Sequence, residues 1–248
     1  PQNICEAAIE ALRGGATRYG PSAGLPASRR AIAQKLERDN GLIGVAPENV
    51  VVTAGAKTAF YLAMHALRDT PQPGERAQEA LLTVPAWGSY APIIELAGGR
   101  VVELPTTAAG AFKITPDQLR EAIGPQSRVL VLNTPSNPCG CMYTREELEA
   151  LAEVIAERAS AVAPELVIVT DEIYEKITYG AEHVSIGSLP DVAERTLTIN
   201  GLSKSYAMTG WRVGYAAGAG AFGRTMAGAL SKLQGQINTC MAGFIEDK

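Results

Sequence analysis

Residues 200–215 read NGLSKSYAMTGWRVGY and follow a short apolar run, residues 196–199, that is typical of a buried β-strand. Lys204 therefore lies just beyond a predicted strand end, among small residues, and Arg212 follows it at close range. In open α/β sheets, ligands bind beyond the carboxyl ends of the strands. An amine at that place is a candidate nucleophile, and the nearby guanidinium suits an anion.

Outward from this stretch, short β-branched runs alternate with longer amphipathic segments. This alternation predicts an α/β protein with three α/β/α layers and a mostly parallel, seven-stranded sheet. The predicted strands are residues 50–53, 80–84, 101–104, 129–132, 166–169, 196–199 and 212–215. The predicted helices are residues 56–67, 87–96, 116–122, 145–159 and 220–233, after a helical lead-in over residues 1–40. Thr144 and Glu147 predict a capping box. Since no linker or repeat interrupts the chain, we expect residues 1–248 to form one domain.

Composition narrows the class of partner. The 248 residues carry a formal net charge of -4, with Lys and Arg scattered along the chain, so we expect neither nucleic acid nor a membrane surface as a partner. The four cysteines and two histidines lack the spacing of a disulfide framework or a zinc site, and we expect reduced thiols and no metal. Because residues 1–20 lack the pattern of a signal peptide, a cytoplasmic location is the default expectation.

Two predicted strands end beside residues that suit a phosphate or a flat ring. Gly55 opens a helix whose first N–H groups, on Ala56 and Lys57, suit a phosphate, although a simple turn between strand and helix is the alternative. We expect the side chain of Lys57 to be exposed and without a role. Trp87 could stack on a planar aromatic ring; a core tryptophan is the alternative.

Polar residues follow two further strands. Asn137 lies in NTPSNP, residues 133–138, and if buried it needs a partner, either a ligand oxygen or a structural turn. Asp171 ends a predicted strand and Tyr174 follows three residues later. A buried acid is costly unless it meets a cation or a strong donor, so Asp171 predicts such a partner.

These segments also carry a resemblance. NGLSKSYAMTGWRVGY, with NTPSNPCG at residues 133–140 and TDEIYE at residues 170–175, closely resembles the class I/II aminotransferases, which are fold-type I pyridoxal-phosphate enzymes, and in particular the bacterial aspartate aminotransferase-like subgroup. The resemblance covers essentially the whole chain and implies the cofactor-binding large domain of that fold. It implies transfer of an amino group between an L-amino acid, aspartate first, and a 2-oxo acid such as 2-oxoglutarate. Aromatic amino acid, alanine and prephenate aminotransferases stay open.

The resemblance implies three catalytic residues. Lys204 would hold the cofactor as a Schiff base and then move a proton to and from the substrate α-carbon. Asp171 would pair with the pyridine nitrogen of the cofactor. Tyr174 and Asn137 would donate to its phenolic oxygen.

The resemblance also implies how the rest of the cofactor is held. Trp87 would lie against the ring and, with Asn137, contact the substrate. The phosphate would lie among donors from three segments: the N–H groups of Ala56 and Lys57 beside Gly55, the Ser203 hydroxyl and the Arg212 guanidinium.

Tyr19 resembles a family tyrosine that reaches the phosphate of the neighbouring subunit, which implies a homodimer; a tyrosine packed in a surface loop is the alternative. Relative to full-length members, the sequence is expected to be truncated at both ends and to lack the C-terminal small domain with its carboxylate-binding arginine. A cofactor-binding but incompetent fragment, a sensor domain of the same fold and a pyridoxal-phosphate lyase or synthase therefore stay open. Residues 73–80 are expected to form a surface excursion.

Overall fold

Seven strands form one sheet, and their order determines where the site lies. The computed structural model describes residues 1–68 and 77–246. Its strands are β1 (Val50–Thr53), β2 (Glu79–Val84), β3 (Arg100–Pro105), β4 (Ser127–Asn133), β5 (Val167–Asp171), β6 (Thr196–Gly201) and β7 (Gly214–Gly218). They form one sheet in the order β1-β7-β6-β5-β4-β2-β3, in which β7 is antiparallel to both neighbours and the other pairs are parallel. The predicted mostly parallel, seven-stranded sheet is confirmed.

The helices agree closely with the sequence pattern. They are α1 (Gln2–Arg13), α2 (Pro26–Asn40), α3 (Ala56–Ala66), α4 (Tyr90–Leu96), α5 (Pro116–Ala122), α6 (Arg145–Ala161), α7 (Pro190–Ala193), α8 (Gly220–Ile237) and α9 (Gly243–Glu246). The predicted capping box starts α6: Thr144 Oγ1 accepts from Glu147 N at 3.3 Å, and Glu147 Oε2 accepts from Thr144 N at 2.7 Å. No described helix is long and apolar enough to cross a membrane.

Apolar side chains point alternately to the two faces of the sheet, and helices cover both faces to give three layers. In β4, Val129 and Val131 pack in a core with α3, α4 and α8, whereas Leu130 and Leu132 pack in a second core with α5, α6 and α7. Successive side chains of a strand point to opposite faces, so the central strands β2, β4 and β5 contribute to both cores. On the second face, α2 covers β1 and β7 through residues such as Leu36. The sheet is covered on both faces, as the sequence predicted.

Two predicted boundaries were wrong near the site. The last strand begins at Gly214 and not at residue 212, because Thr209–Trp211 form a 3₁₀ turn and Arg212 has a φ of 57°, outside the β region. The helix predicted from residue 87 begins at Tyr90, and Trp87 lies in the turn before it. The excursion predicted at residues 73–80 lies partly outside the described residues, which resume at residue 77, and its last two residues, Glu79 and Ala80, belong instead to β2.

Because β7 runs antiparallel to its neighbours, its first residue lies beside their last residues. Its first residue, Gly214, pairs with Thr53 and Gly201, the last residues of β1 and β6. Arg212, just before β7, therefore lies at the same sheet edge as the segments that follow the parallel strands.

Candidate active site

The strand ends surround one cavity of about 310 Å³, which lies in the usual size range of small-molecule sites. Of the predicted site residues, all except Gly55 and Tyr19 line it. The lining residues are Ala56, Lys57, Trp87, Tyr90, Asn133, Asn137, Asp171, Ile173, Tyr174, Ser203, Lys204, Thr209 and Arg212. The sequence did not single out Tyr90, Asn133, Ile173 or Thr209 as site residues.

Lys204 lies in a tight turn after β6. Tyr206 N donates to Leu202 O at 3.2 Å, and Ala207 N donates to Lys204 O at 3.3 Å, which curls the chain directly after the strand. The Lys204 ammonium lies over the ring of Tyr174, with Nζ 5.7 Å from the ring centroid. Within the described residues this amine donates no hydrogen bond, so it is available to a molecule in the cavity.

Asp171 ends β5 and is buried, with 6% of its surface exposed. Tyr90 Oη donates to its Oδ2 at 2.7 Å, and Ile173 N donates to its Oδ1 at 3.1 Å. Burial raises the pKa of Asp171 to about 6, and the two hydrogen bonds act against that rise. The strong donor that the sequence required is therefore Tyr90, 81 residues away along the chain.

The loop after β4 is tied to β5 by an asparagine. Asn133 Oδ1 accepts from Asn137 N at 2.7 Å, while Asn133 Nδ2 donates to Asp171 O at 2.9 Å. The side chain of Asn137 then faces Tyr174, with Nδ2 3.4 Å from Oη. Two polar groups thus converge on one side of the cavity, where both could donate to a single ligand oxygen.

Two glycines bring Arg212 and β7 against the start of α3. Gly55 has a φ of 90°, and a Cβ there would lie 2.3 Å from Arg212 Nη2. The guanidinium of Arg212 donates to Ala54 O at 3.3 Å and to Thr209 O at 3.0 Å. A Cβ on Gly214 would lie 2.2 Å from Ala56 N, so only glycine allows β7 this close to α3.

This close packing creates an anion cradle. Gly55 does not line the cavity but lets Arg212 lie beside the start of α3, where the N–H groups of Ala56 and Lys57 have no acceptor within the helix. Ser203, which is 9% exposed, lies beyond β6 and lines the same cavity. A guanidinium, a helix N-terminus and a hydroxyl together suit a phosphate.

Trp87 and Lys57 form the rim. Lys57 is exposed, as expected, but its Nζ lies 4.8 Å from the centroid of the Trp87 ring. The Trp87 ring meets Tyr90 edge-on, with centroids 5.2 Å apart. Lys57, Lys204 and Arg212 bring three cationic side chains to the cavity, against the single carboxylate of Asp171. The charges of these lining residues favour an anionic ligand.

Tyr19 is not part of this cavity: it is 87% exposed. None of the four cysteines lines the cavity either. Glu172, Glu175 and His183 offer ligand atoms within 4.8 Å of one another, a grouping that the sequence did not suggest. These side chains already have partners, because Lys35 pairs with Glu175 and Ser185 Oγ donates to Glu172 Oε1 at 2.7 Å.

The fold and the cavity define a class of protein: an α/β protein whose lysine amine, buried carboxylate and anion cradle meet at one sheet edge. The sequence profile described as "Aminotransferase class I and II" matches residues 1–243. The chain belongs to this family.

Individual relatives agree with the family. The chain is 47% identical to the aspartate aminotransferase of Geobacillus stearothermophilus over 88% of this chain and 53% of the relative. It is 44% identical to the aspartate/prephenate aminotransferase of Thermus thermophilus over 88% of this chain and 53% of the relative. The solved aspartate aminotransferase from Thermus thermophilus with maleate has a TM-score of 0.89 at 39% identity, over 99% of this chain and 59% of that one. The chain spans about half the length of the curated relatives it matches.

Proposed function

We propose that residues 1–248 form the large, pyridoxal-phosphate-binding domain of an aminotransferase that moves an amino group between an L-amino acid and a 2-oxo acid. The observation that carries this proposal is the meeting of the Lys204 amine and the buried Asp171 carboxylate in one cavity with the Arg212 cradle. Membership of the aminotransferase family and the names of the relatives support it.

The lining residues fit pyridoxal phosphate in three ways. The cradle of Arg212, Ser203 and the α3 N-terminus suits the phosphate. Trp87 offers an aromatic face, and Asp171 offers a carboxylate for a ring nitrogen. When bound, this cofactor supplies an aldehyde that reacts with amines and a ring that accepts electrons from the substrate α-carbon.

Each residue has a separate task under this proposal. Lys204 Nζ would hold the cofactor covalently and, once displaced by the substrate amine, would move the proton between the substrate α-carbon and the imine carbon of the cofactor. Asp171 accepts a hydrogen bond from the protonated ring nitrogen. Asn137 Nδ2 and Tyr174 Oη donate to the phenolic oxygen and stabilise its negative form. Trp87 covers the ring and, with Asn137, contacts the substrate.

The substrate pair that we propose is aspartate and 2-oxoglutarate. Two relatives are named for aspartate, and one of these also for prephenate, so prephenate is the second candidate acceptor. Lys57, at the rim of the cavity, is the lining cation that the cofactor would leave free, and its charge is consistent with acidic substrates. We also propose a cytoplasmic homodimer in which the exposed Tyr19 reaches the phosphate of the neighbouring site.

Absorbance spectroscopy tests the proposal. The chain is mixed with pyridoxal phosphate, and the spectrum of the protein-bound cofactor is compared for the wild type, Lys204→Ala and the control Lys232→Ala, which changes an exposed lysine of α8. We expect a protein-bound band in the wild type and the control that is absent in Lys204→Ala.

Addition of aspartate then tests transfer. Conversion of the band to that of the amine form of the cofactor, with appearance of the 2-oxo acid, supports an aminotransferase. A band that no amino acid changes would leave cofactor binding without transfer, and a band that persists in Lys204→Ala would contradict the role of this lysine.

A further inference from the structure

The carboxylate of Asp171 is held on both of its oxygens. Oδ1 accepts the backbone N–H of Ile173 at 3.1 Å, and Oδ2 accepts the hydroxyl of Tyr90 at 2.7 Å. A carboxylate with a donor on each oxygen cannot rotate freely about its χ2 torsion. The two bonds thus fix which lone pairs remain for a molecule in the cavity.

Tyr90 is itself rigid. It is the first residue of α4, its N–H donates to Trp87 O at 3.1 Å, and only 2% of its surface is exposed. Its ring packs against Phe60, with centroids 4.9 Å apart, and against Trp87. The phenol is therefore held by core packing at the point where it meets Asp171.

The surroundings of Asp171 raise its pKa, and the Tyr90 hydroxyl acts against that rise. Burial and the neighbouring carboxylate of Glu172 both raise the pKa of Asp171, whereas the Tyr90 and Ile173 hydrogen bonds lower it. The pKa of Tyr90 is itself raised well above its usual value by burial and by Asp171, so its hydroxyl stays protonated and remains a donor. The other titratable groups that line the cavity are Lys57, Tyr174, Lys204 and Arg212.

We propose that Tyr90 is a positioning residue whose hydroxyl keeps the Asp171 carboxylate charged and oriented toward the ring nitrogen of the bound cofactor. The inference rests on the proposed function. A proton shared between Asp171 and the ring nitrogen can lie on either group. The donor on Oδ2 favours the charged carboxylate and thereby keeps the proton on the nitrogen, where it helps the ring to accept electrons.

The test measures where that proton lies. Pyridoxal phosphate labelled at its ring nitrogen is bound to the wild type, to Tyr90→Phe and to the control Tyr143→Phe, and the chemical shift of the nitrogen is read by NMR at neutral pH. Tyr143 is a matched control, because it is 4% exposed and its hydroxyl accepts a hydrogen bond from Ile114 N at 3.0 Å, away from Asp171.

We expect the ratio of protonated to unprotonated ring nitrogen to fall about tenfold in Tyr90→Phe, the effect of losing one hydrogen bond to a charged group. The rate of the half-reaction with aspartate falls by a similar factor, while the dissociation constant for aspartate changes less than about twofold. Tyr143→Phe keeps the wild-type ratio. In an Asp171→Asn background, Tyr90→Phe has no further effect on the ratio or the rate, because the residue acts through Asp171.

Three outcomes would overturn the inference. The first is a Tyr90→Phe variant with the wild-type ratio, and the second is an equal effect of Tyr90→Phe with and without Asp171. The third uses a ring-fluorinated tyrosine at residue 90 alone, which changes the ring but keeps the hydroxyl donor. A fall in the ratio of protonated to unprotonated ring nitrogen in this protein would show that ring packing, and not the hydrogen bond, controls the ratio. A wild-type chain that binds no cofactor would overturn the proposed function as well, whereas the three outcomes above leave that function intact.

Discussion

Replacement of Gly55 by alanine tests how the anion cradle is built. Gly55 has a φ of 90° and a ψ of 158°, a conformation that is essentially limited to glycine and costs other residues about 1–3 kcal/mol. The new Cβ would also lie 2.3 Å from Arg212 Nη2 and 2.8 Å from its Cζ, so the guanidinium must move and lose its bond to Ala54 O. We expect Gly55→Ala to destabilise the chain by about 1–3 kcal/mol and to weaken cofactor binding.

The assay separates these two effects. Urea unfolding without cofactor measures the free energy of unfolding, and a titration with pyridoxal phosphate measures binding. Gly180→Ala is the matched control, because Gly180 also has a positive φ, 77°, but its Cβ would have no neighbour within 4 Å. The control carries the backbone strain without displacement of Arg212.

We expect Gly180→Ala to lose stability and keep the wild-type cofactor affinity, whereas Gly55→Ala should lose both stability and affinity. In an Arg212→Ala background, Gly55→Ala should have little further effect on affinity, since the displaced group is already gone. Wild-type affinity in Gly55→Ala, or an equal loss of affinity in both glycine variants, would refute the account of the cradle.

Three further predictions concern stability. Comparison with Asp171→Asn isolates the contribution of Asp171 to the pH dependence of stability. The pKa of Asp171 in the folded chain, about 6, lies above its value in the unfolded chain, so its stabilising contribution is lost as pH rises through 6. In urea unfolding without cofactor, the wild type should therefore lose about 1 kcal/mol more than the variant between about pH 5 and 7.5. Equal losses would show that Asp171 does not titrate there. Thr144→Ala removes the capping box of α6 and should cost about 1 kcal/mol without a change in cofactor affinity; no loss in urea unfolding would contradict the cap. Glu172→Ala leaves Ser185 Oγ without its buried acceptor and removes one of the two acceptors of Asn40 Nδ2, the other being Glu175. We expect a cost of about 3 kcal/mol, and a loss below about 1 kcal/mol would show that the network is not a structural element.

The sequence predicted the sheet and most of the lining residues because both depend on local patterns. Strand ends can be found from apolar runs, and parallel strands bring their carboxyl ends together, so the sequence alone was enough to place Lys204, Asp171 and Asn137 at one edge of the sheet. The start of β7 was wrong because Arg212 adopts a left-handed conformation that its type does not suggest.

Other parts of the site depend on contacts between distant segments. Tyr90 is a buried aromatic residue in a short helix, and nothing in its local pattern distinguishes it from a core residue; its hydroxyl has a role only because α4 packs opposite the end of β5. Asn133 is the last residue of β4, and its link to Asp171 O depends on strand pairing. The need for glycine at residue 214 depends on how closely β7 approaches α3.

The central claim is that Lys204 holds pyridoxal phosphate in this cavity. The most direct measurement is to incubate the chain with the cofactor, reduce the covalent link with borohydride, and locate the modified residue by mass spectrometry of the peptides. We expect one modified lysine, Lys204, with loss of the modification in Arg212→Ala at low cofactor concentration. Modification spread over exposed lysines such as Lys232, or an unmodified Lys204, would contradict it.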